Sequence, residues 1–427
     1  MSPPGRPKGE SLSAQHEGCP MAPPGRPKGE SPSAQHEGRP ASPPVRSNRG
    51  FPTAMHEGRS VSPARGICLS LALCVTALAL LLGGCASAPT PRVLRLGMDD
   101  APEGRRLMWP ATDDVPRYVY AGTLTGEANF VATEPASSGT AMRFLKWLAG
   151  VDAETQRPVV LQRPAAVVSD ERGRIFVSDT SRQAIFVFDE KAGALSVWEQ
   201  ADGLIRFLAP AGLALDAERG LLVADAELGV VVRLDAGGTP RTPIGRGVLK
   251  RPTGVARDAT RGRIYVADTY AHDIKVFDDA GNLLQVLGRR GTADGEFNYP
   301  TYLALANDRL FVTDSLNSRV QALDLGTAST VTQIGTRGLY VGNLVRPKGV
   351  AVDGEGNVYV VESFYDTLLV YAAGGEFLMP IGGTGTGTGR FYLPAGVWVD
   401  SRNRVFVADM FNGRVVVFQF LGGGDAP

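Results

Sequence analysis

The sequence predicts an all-β protein built as a ring of six similar units, and three observations lead to this prediction. The pattern "RIYVADTYAHDIKVFD" at residues 263–278 recurs in five other places along the chain. Each copy follows a proline, and these prolines are 42 to 48 residues apart: Pro164, Pro210, Pro252, Pro300, Pro347 and Pro394. Each interval contains short apolar runs separated by glycine-containing turns. A period of this length, filled with short strands, is typical of a β-propeller.

Each unit is predicted to contain four antiparallel strands, the innermost first. In the fifth unit the apolar runs are "GVAVD" at 349–353, "NVYVV" at 357–361, "TLLVYA" at 367–372 and "FLMPIG" at 377–382. The runs are short and rich in β-branched residues, and polar or glycine-containing turns separate them. This pattern therefore argues against helical repeats. We expect each unit to form one four-stranded blade.

The repeat resembles the NHL-repeat family of six-bladed β-propellers. The resemblance is carried by the proline, the glycine and apolar strand after it, the strand "(I/V)(Y/F)VAD", and the N-x-R pattern at Asn317–Arg319 and Asn412–Arg414. It extends over residues 164–420. The resemblance implies that the ring closes with a strand from the N-terminal side, because the sixth unit ends before its outermost strand.

The segment "RYVYAGTLTG" at 117–126 is the predicted closing strand, since large residues alternate with smaller ones before a glycine turn. Trp109 precedes it and is expected to pack against the outside of the blade. Trp398 lies in an innermost strand where other blades have alanine, and we expect it to fill space at the closure.

The repeated carboxylate favours architecture over catalysis. Asp268 has equivalents in every unit: Asp179, Asp225, Asp314, Glu362 and Asp409. A catalytic carboxylate is needed once, whereas a carboxylate in every blade is expected to bind neighbouring backbone N–H groups. His272 falls where the motif of the resembled family also carries histidine, so a surface-loop role is expected there.

The sequence pattern near the N-terminus predicts that the protein is exported and carries a covalently attached lipid. Residues 65–85 combine a basic flank, an apolar run too short for a comfortable membrane span, and "LGGC", which resembles the bacterial lipobox. We expect a signal peptide at 55–85, lipid on Cys85 and translation starting at Met55, behind a low-complexity segment at 1–54. A linker at 86–105 and the propeller at 106–427 should follow, with a short helix near 138–150. Ala86, in place of an aspartate, favours the outer membrane.

Charge and composition argue against several functions. The residues after Cys85 contain 35 Lys and Arg against 39 Asp and Glu, without the basic excess expected for nucleic-acid binding. All four cysteines occur at or before Cys85, and His272 is the only histidine after residue 56. A zinc site like that of the related peptide-amidating lyase is therefore not expected. We expect no cofactor, although the composition is compatible with calcium, which lactonase-like propellers use.

The candidate binding surface is the end of the ring where the loops between second and third strands meet the loops before each proline. Aromatic residues are enriched at binding hot spots, and here they concentrate in blades three to six. Packing of these rings against their own blades is an equal alternative. Lys348 follows a proline and is expected at the rim. The candidate residues are Tyr270, Tyr299, Tyr302, Lys348, Phe364, Tyr365, Phe391, Tyr392 and Phe411.

These features lead to the expectation of a monomeric, lipid-anchored, exported propeller that binds or scaffolds a protein partner in the bacterial cell envelope. A calcium-dependent hydrolase or lactonase of the same fold is one alternative. A sensor for a small ligand is another.

Overall fold

The computed structural model describes residues 91–97, 107–111, 114–133 and 158–422. The predicted leader, signal peptide, Cys85 and helix near 138–150 lie outside these residues. Four strands precede the repeats: β1 (Arg92–Leu94), β2 (Met108–Trp109), β3 (Tyr118–Leu124) and β4 (Phe130–Ala132). β1 pairs with β4, so part of the predicted linker at 86–105 is a strand.

The first three blades follow the predicted order, with the innermost strand starting at the proline. Blade one contains β5 (Pro164–Ser169), β6 (Arg174–Asp179), β7 (Ala184–Asp189) and β8 (Ala194–Trp198), followed by a hairpin of β9 (Gln200–Asp202) and β10 (Ile205–Arg206). Blade two contains β11 (Pro210–Leu215), β12 (Leu221–Asp225), β13 (Val230–Leu234) and β14 (Pro240–Ile244). Blade three contains β15 (Pro252–Asp258), β16 (Arg263–Asp268), β17 (Asp273–Asp278) and β18 (Leu283–Leu287).

The remaining blades complete the ring. Blade four contains β19 (Pro300–Ala306), β20 (Arg309–Asp314), β21 (Arg319–Asp324) and β22 (Thr330–Ile334). Blade five contains β23 (Pro347–Val352), β24 (Val358–Glu362), β25 (Thr367–Tyr371) and β26 (Phe377–Gly382). Blade six contains β27 (Val397–Val399), β28 (Arg404–Asp409) and β29 (Arg414–Phe420), with β3 as its outermost strand. The all-β, six-bladed prediction is confirmed.

Helical structure in the described residues consists of short 3-10 turns at Glu127–Asn129, Ala217–Arg219, Ser315–Asn317 and Met410–Asn412. In that part of the chain, no helix has the length and apolar character needed to cross a bilayer.

The hydrophobic core consists of layers between successive blades. The second and third strands are buried on both faces, as β12 shows with all five residues buried. Between blades two and three, for example, Leu222, Val231, Val255, Ile264 and Phe277 form one buried cluster. The outermost strands of blades one to five are more exposed, as β18 illustrates, whereas β3 in blade six is largely buried. Blade-to-blade packing therefore supplies most of the apolar burial.

The predicted closure is confirmed by the pairing of β3 with β29. Val415 lies opposite Leu124 and Phe420 opposite Tyr118, in an antiparallel register. Trp109, in β2, packs on the outside with its ring centroid 5.3 Å from that of Phe418. An N-terminal strand thus completes the last blade and joins both ends of the described domain.

Trp398 fills the space between blades six and one, as predicted. It packs against the buried clusters on both sides of blade one. Its indole Nε1 donates to Ser169 Oγ at 3.1 Å. The large ring is therefore fixed by both packing and a hydrogen bond.

Candidate functional site: the loop face and the channel

One end of the propeller, here called the loop face, is formed by the loops between second and third strands and the loops before each proline. The opposite end is the turn face. Each blade has one buried carboxylate at the end of its second strand, beneath the loop face. In blade one, Asp179 Oδ2 accepts from the amides of Gln162 and Arg163 at 2.6 and 2.9 Å. Its Oδ1 accepts from Ser181 and Arg182 at 3.0 and 2.9 Å.

The expected hydrogen bonds from neighbouring backbone N–H groups to the repeated carboxylate are thus present. Each carboxylate ties backbone amides of its loops to the blade, and the rings on those loops are held on a rigid base. Three of the carboxylates also bind a cation of their own blade. Lys275 Nζ lies 2.9 Å from Asp268, Arg319 Nε 2.8 Å from Asp314, and Arg414 Nε 2.9 Å from Asp409.

Blade five has a glutamate in this place and no such cation. Glu362 is fully buried and accepts from the amides of Val345, Arg346 and Phe364. Burial raises the pKa of Glu362 above its ordinary value, and the backbone hydrogen bonds oppose this rise only in part.

His272 occupies a surface loop and positions a neighbour. Its backbone is left-handed, with φ at 60°, and its Nδ1 accepts from the amide of Tyr299 at 3.2 Å. The two rings are in edge contact at 4.6 Å. Burial, followed by the charge of Arg290, lowers the pKa of His272. Among the described residues, no group of three or more His, Cys, Asp or Glu side chains is arranged to bind a metal.

Five of the predicted aromatic side chains are exposed on the loop face. Their exposed fractions are 54% for Tyr270, 36% for Tyr299, 50% for Phe364, 47% for Tyr392 and 46% for Phe411. The rings support one another in edge-to-face pairs: Tyr270 with Tyr299, Phe364 with half-buried Tyr365, and Tyr392 with Phe411. They are therefore exposed and held in fixed orientations, which limits the entropy lost when a ligand binds.

Arginines stack on three of these rings, which the sequence interpretation did not anticipate. Each comes directly before a blade's proline. The guanidinium of Arg163 lies 4.9 Å from the ring centroid of Phe411, that of Arg251 5.1 Å from Tyr270, and that of Arg346 5.8 Å from Phe364. The arginine before Pro164, Pro252 and Pro347 is visible in the sequence, but only the blade-to-blade geometry shows which ring it covers.

Two predicted surface residues lie elsewhere. Phe391 is fully buried, with its ring 6.0 Å from that of Phe418, because the loop before Pro394 folds its apolar end under the blade. Tyr302 lies in the central channel, where its hydroxyl donates to the carbonyl of Ala165 at 2.8 Å. Neither ring belongs to the exposed face.

Lys348 lies half-buried in β23, directly after Pro347. Burial lowers the pKa of Lys348, and the charge of Arg346 acts in the same direction. Within the described residues, no hydrogen bond or ion pair engages its ammonium.

The sequence interpretation also missed the most exposed apolar segment of the loop face. Leu339, Tyr340 and Val341 are exposed by 77%, 84% and 71% in the loop between blades four and five. The matching loops between blades three and four and between blades five and six carry "TADG" and "TGTG" instead. This contrast is visible in the sequence. Contiguous exposed apolar residues of this kind are characteristic of interaction sites.

Comparisons with known proteins agree with the repeat. The NHL repeat family model matches residues 249–277, which lie in blade three. NHL repeat-containing protein 2 of Bos taurus is 34% identical over 28% of this chain and 21% of its own length. The peptidylglycine alpha-amidating monooxygenase of Rattus norvegicus is 29% identical over 32% of this chain and 16% of its own length. The chain thus spans about a fifth of the length of these curated relatives.

Among solved structures, a gluconolactonase from Xanthomonas campestris is 16% identical with a TM-score of 0.49, covering 75% of this chain and 99% of that one. The family-model match and the relatives named for this repeat supply the sequence relationship. The described residues supply the six blades. The chain is thus a six-bladed β-propeller, and residues 249–277 within it match the NHL repeat.

Proposed function

We propose that this protein is a lipid-anchored, exported binding module, which presents its loop face to a protein partner in the bacterial cell envelope. The exposed aromatic rings of the loop face carry the proposal. They stand on loops tied to buried carboxylates, and arginines cover part of their faces. Aromatic and arginine side chains dominate the binding energy of protein interfaces. A partner would bury the rings without having to order the loops first.

The exposed loop at Leu339, Tyr340 and Val341, between blades four and five, adds apolar side chains to the loop face. Its side chains have few intramolecular contacts to lose, so their burial by a partner would be favourable. At about 25 cal/mol per Å² of apolar surface, burying three such residues contributes a few kcal/mol. Together the rings and this loop offer the partner exposed apolar side chains, with Arg163, Arg251 and Arg346 beside three of the rings.

The partner is tested by crosslinking and affinity capture of the full chain from envelope membranes. One variant carries Tyr270→Ala, Phe364→Ala and Phe411→Ala. A matched control carries Leu283→Ala, Leu284→Ala and Val286→Ala, because these residues are exposed by 44 to 48% on the outer strand β18. We expect one stoichiometric partner, retained by the control and lost by the loop-face variant. Equal capture by both variants, or no partner from the native chain, would overturn the proposal.

Anchoring is tested separately by replacing Cys85. Small residues before a cysteine, after a basic flank and an apolar run, support lipid attachment at its thiol. Cys85→Ala should move the protein from the membrane fraction to another fraction, and mass spectrometry of the native chain should find acyl groups on Cys85. An unmodified Cys85 in a membrane-bound native chain would refute lipidation without affecting the loop-face proposal.

A further inference from the structure

The central channel is interrupted at one point of the ring. The second residue after each proline is small in five blades and large in blade four. These residues are Ala166, Gly212, Gly254, Tyr302, Gly349 and Gly396. The glycines allow neighbouring innermost strands to touch: a Cβ added at Gly254 would lie 2.3 Å from the carbonyl oxygen of Thr301. Tyr302 stands where the repeat otherwise requires almost no side chain.

The phenol of Tyr302 crosses the channel. Its hydroxyl donates to the carbonyl of Ala165 in blade one at 2.8 Å. Blades one and four face each other across a ring of six, so this bond spans the channel. The ring also packs against the buried cluster of blades one and two. The channel is therefore closed on the side of the loop face by a side chain fixed at both ends.

Below Tyr302 lies a cavity of about 470 Å³ that extends to the turn face and has walls from all six blades. Its walls are mainly aliphatic, and Leu215, Leu305, Val352 and Val399 present partly exposed side chains near the turn face. Trp398 adds one aromatic wall, and its indole N–H is already used by Ser169. Ligand pockets in proteins have volumes of roughly 300 to 1,000 Å³ and mostly apolar walls.

The charged groups at the open end of the cavity are already paired. Arg257 lies 3.4 Å from Asp216 and makes two hydrogen bonds, at 2.9 and 2.8 Å, to Asp279. Asp216 is also within 2.8 Å of Arg233. An ionic ligand would therefore lose its hydration without gaining a free counter-charge, which is costly. A neutral, apolar ligand has no such penalty, and apolar protein cavities bind such molecules readily.

We propose that this cavity is a binding site for a neutral small molecule with an apolar body, which enters from the turn face and ends against Tyr302. The site is distinct from the loop face. The proposal for the cavity and the proposal for the loop face can therefore be confirmed or refuted independently.

The test uses quenching of tryptophan fluorescence in the full chain, reconstituted in lipid nanodiscs, by 6-bromohexanol. Bromine quenches an indole that it contacts, and Trp398 lines the cavity. The anionic 6-bromohexanoate serves as the matched control probe. We expect saturable quenching by the alcohol and only weak, non-saturable quenching by the carboxylate. Trp398→Phe should remove the saturable component.

Two further variants locate the site. Tyr302→Gly restores the residue type of the other blades and opens the closed end, so affinity for the alcohol should fall by about tenfold. Val399→Phe, from a position in the cavity wall, should abolish saturable quenching by filling space. Equal affinity of the native chain and both variants would place the probe elsewhere and overturn the proposal. Equal saturable binding of alcohol and carboxylate would overturn the assignment of a neutral ligand.

Discussion

The substitution Asp179→Asn tests the role of the repeated carboxylates most directly. Asp179 is fully buried, and each of its oxygens accepts two backbone N–H groups at 2.6 to 3.0 Å. Asparagine keeps the shape but has one acceptor oxygen, so its NH₂ group must face two N–H donors. Each hydrogen bond to a charged group contributes about 1.5–3 kcal/mol. Losing two of them should lower the free energy of unfolding by about 3–6 kcal/mol.

The matched control is Asp189→Asn, because Asp189 is the last residue of β7 and accepts the exposed amides of Lys191 and Ala192 in the following turn, at 3.0 and 2.8 Å. Water replaces these bonds readily, so the expected loss is below about 1 kcal/mol. Urea unfolding followed by circular dichroism measures both variants. If Asp179→Asn were no more destabilising than Asp189→Asn, the carboxylates would not be what holds the loops.

Three further outcomes follow from the fold. Gly254→Ala should destabilise by about 1–3 kcal/mol in urea unfolding, because its Cβ meets the backbone of blade four, whereas Gly387→Ala, with open space around it, should not. Burial raises the pKa of Glu362 above its ordinary 4.5, so the folded state keeps that proton to higher pH and the associated stability is lost as pH rises. Glutamine does not titrate, so the free energy of unfolding of Glu362→Gln minus that of the native chain should increase as pH rises above about 4.5. Urea titrations across pH measure this difference, and a difference that does not change with pH would contradict the prediction. Tyr118→Phe removes the 3.0 Å bond between a closing-strand phenol and that of blade five, and should cost about 1 kcal/mol and speed proteolysis near residue 118.

The fold was predictable because the same pattern of proline, apolar runs and turns occurs in six successive units. A proline marks the start of the innermost strand in five blades and precedes it by three residues in blade six, short apolar runs mark the buried strands, and glycine-containing turns mark the hairpins. The strand bounds of blade five agree with the predicted runs to within a few residues. The closing strand was also predictable, because blade six ends without an outermost strand and "RYVYAGTLTG" has the required alternation.

The candidate site was less predictable because exposure depends on how each loop folds back. Phe391 and Tyr392 are adjacent, yet one is fully buried and the other is 47% exposed. The alternation of apolar and polar residues does not show which side chain is buried in a loop, because a loop lacks regular strand geometry. The arginine–aromatic contacts join residues of different loops, and Arg163 and Phe411 belong to opposite ends of the repeat array. Such contacts follow from ring closure, which local sequence does not encode.

Positions that depart from the repeat mark where this propeller differs from a purely structural ring. Gly212 and Gly254 show what the innermost ring requires, since a Cβ at either would lie within 2.4 Å of a neighbouring carbonyl oxygen. Tyr302 breaks this rule and places a phenol across the channel, where a hydrogen bond fixes it. A ring that needed only closure would be served by glycine in blade four as well. The tyrosine instead converts an open channel into a pocket with one closed end. Tyr302→Gly therefore separates two properties: it should leave the loop face and its partner intact while removing the floor of the cavity.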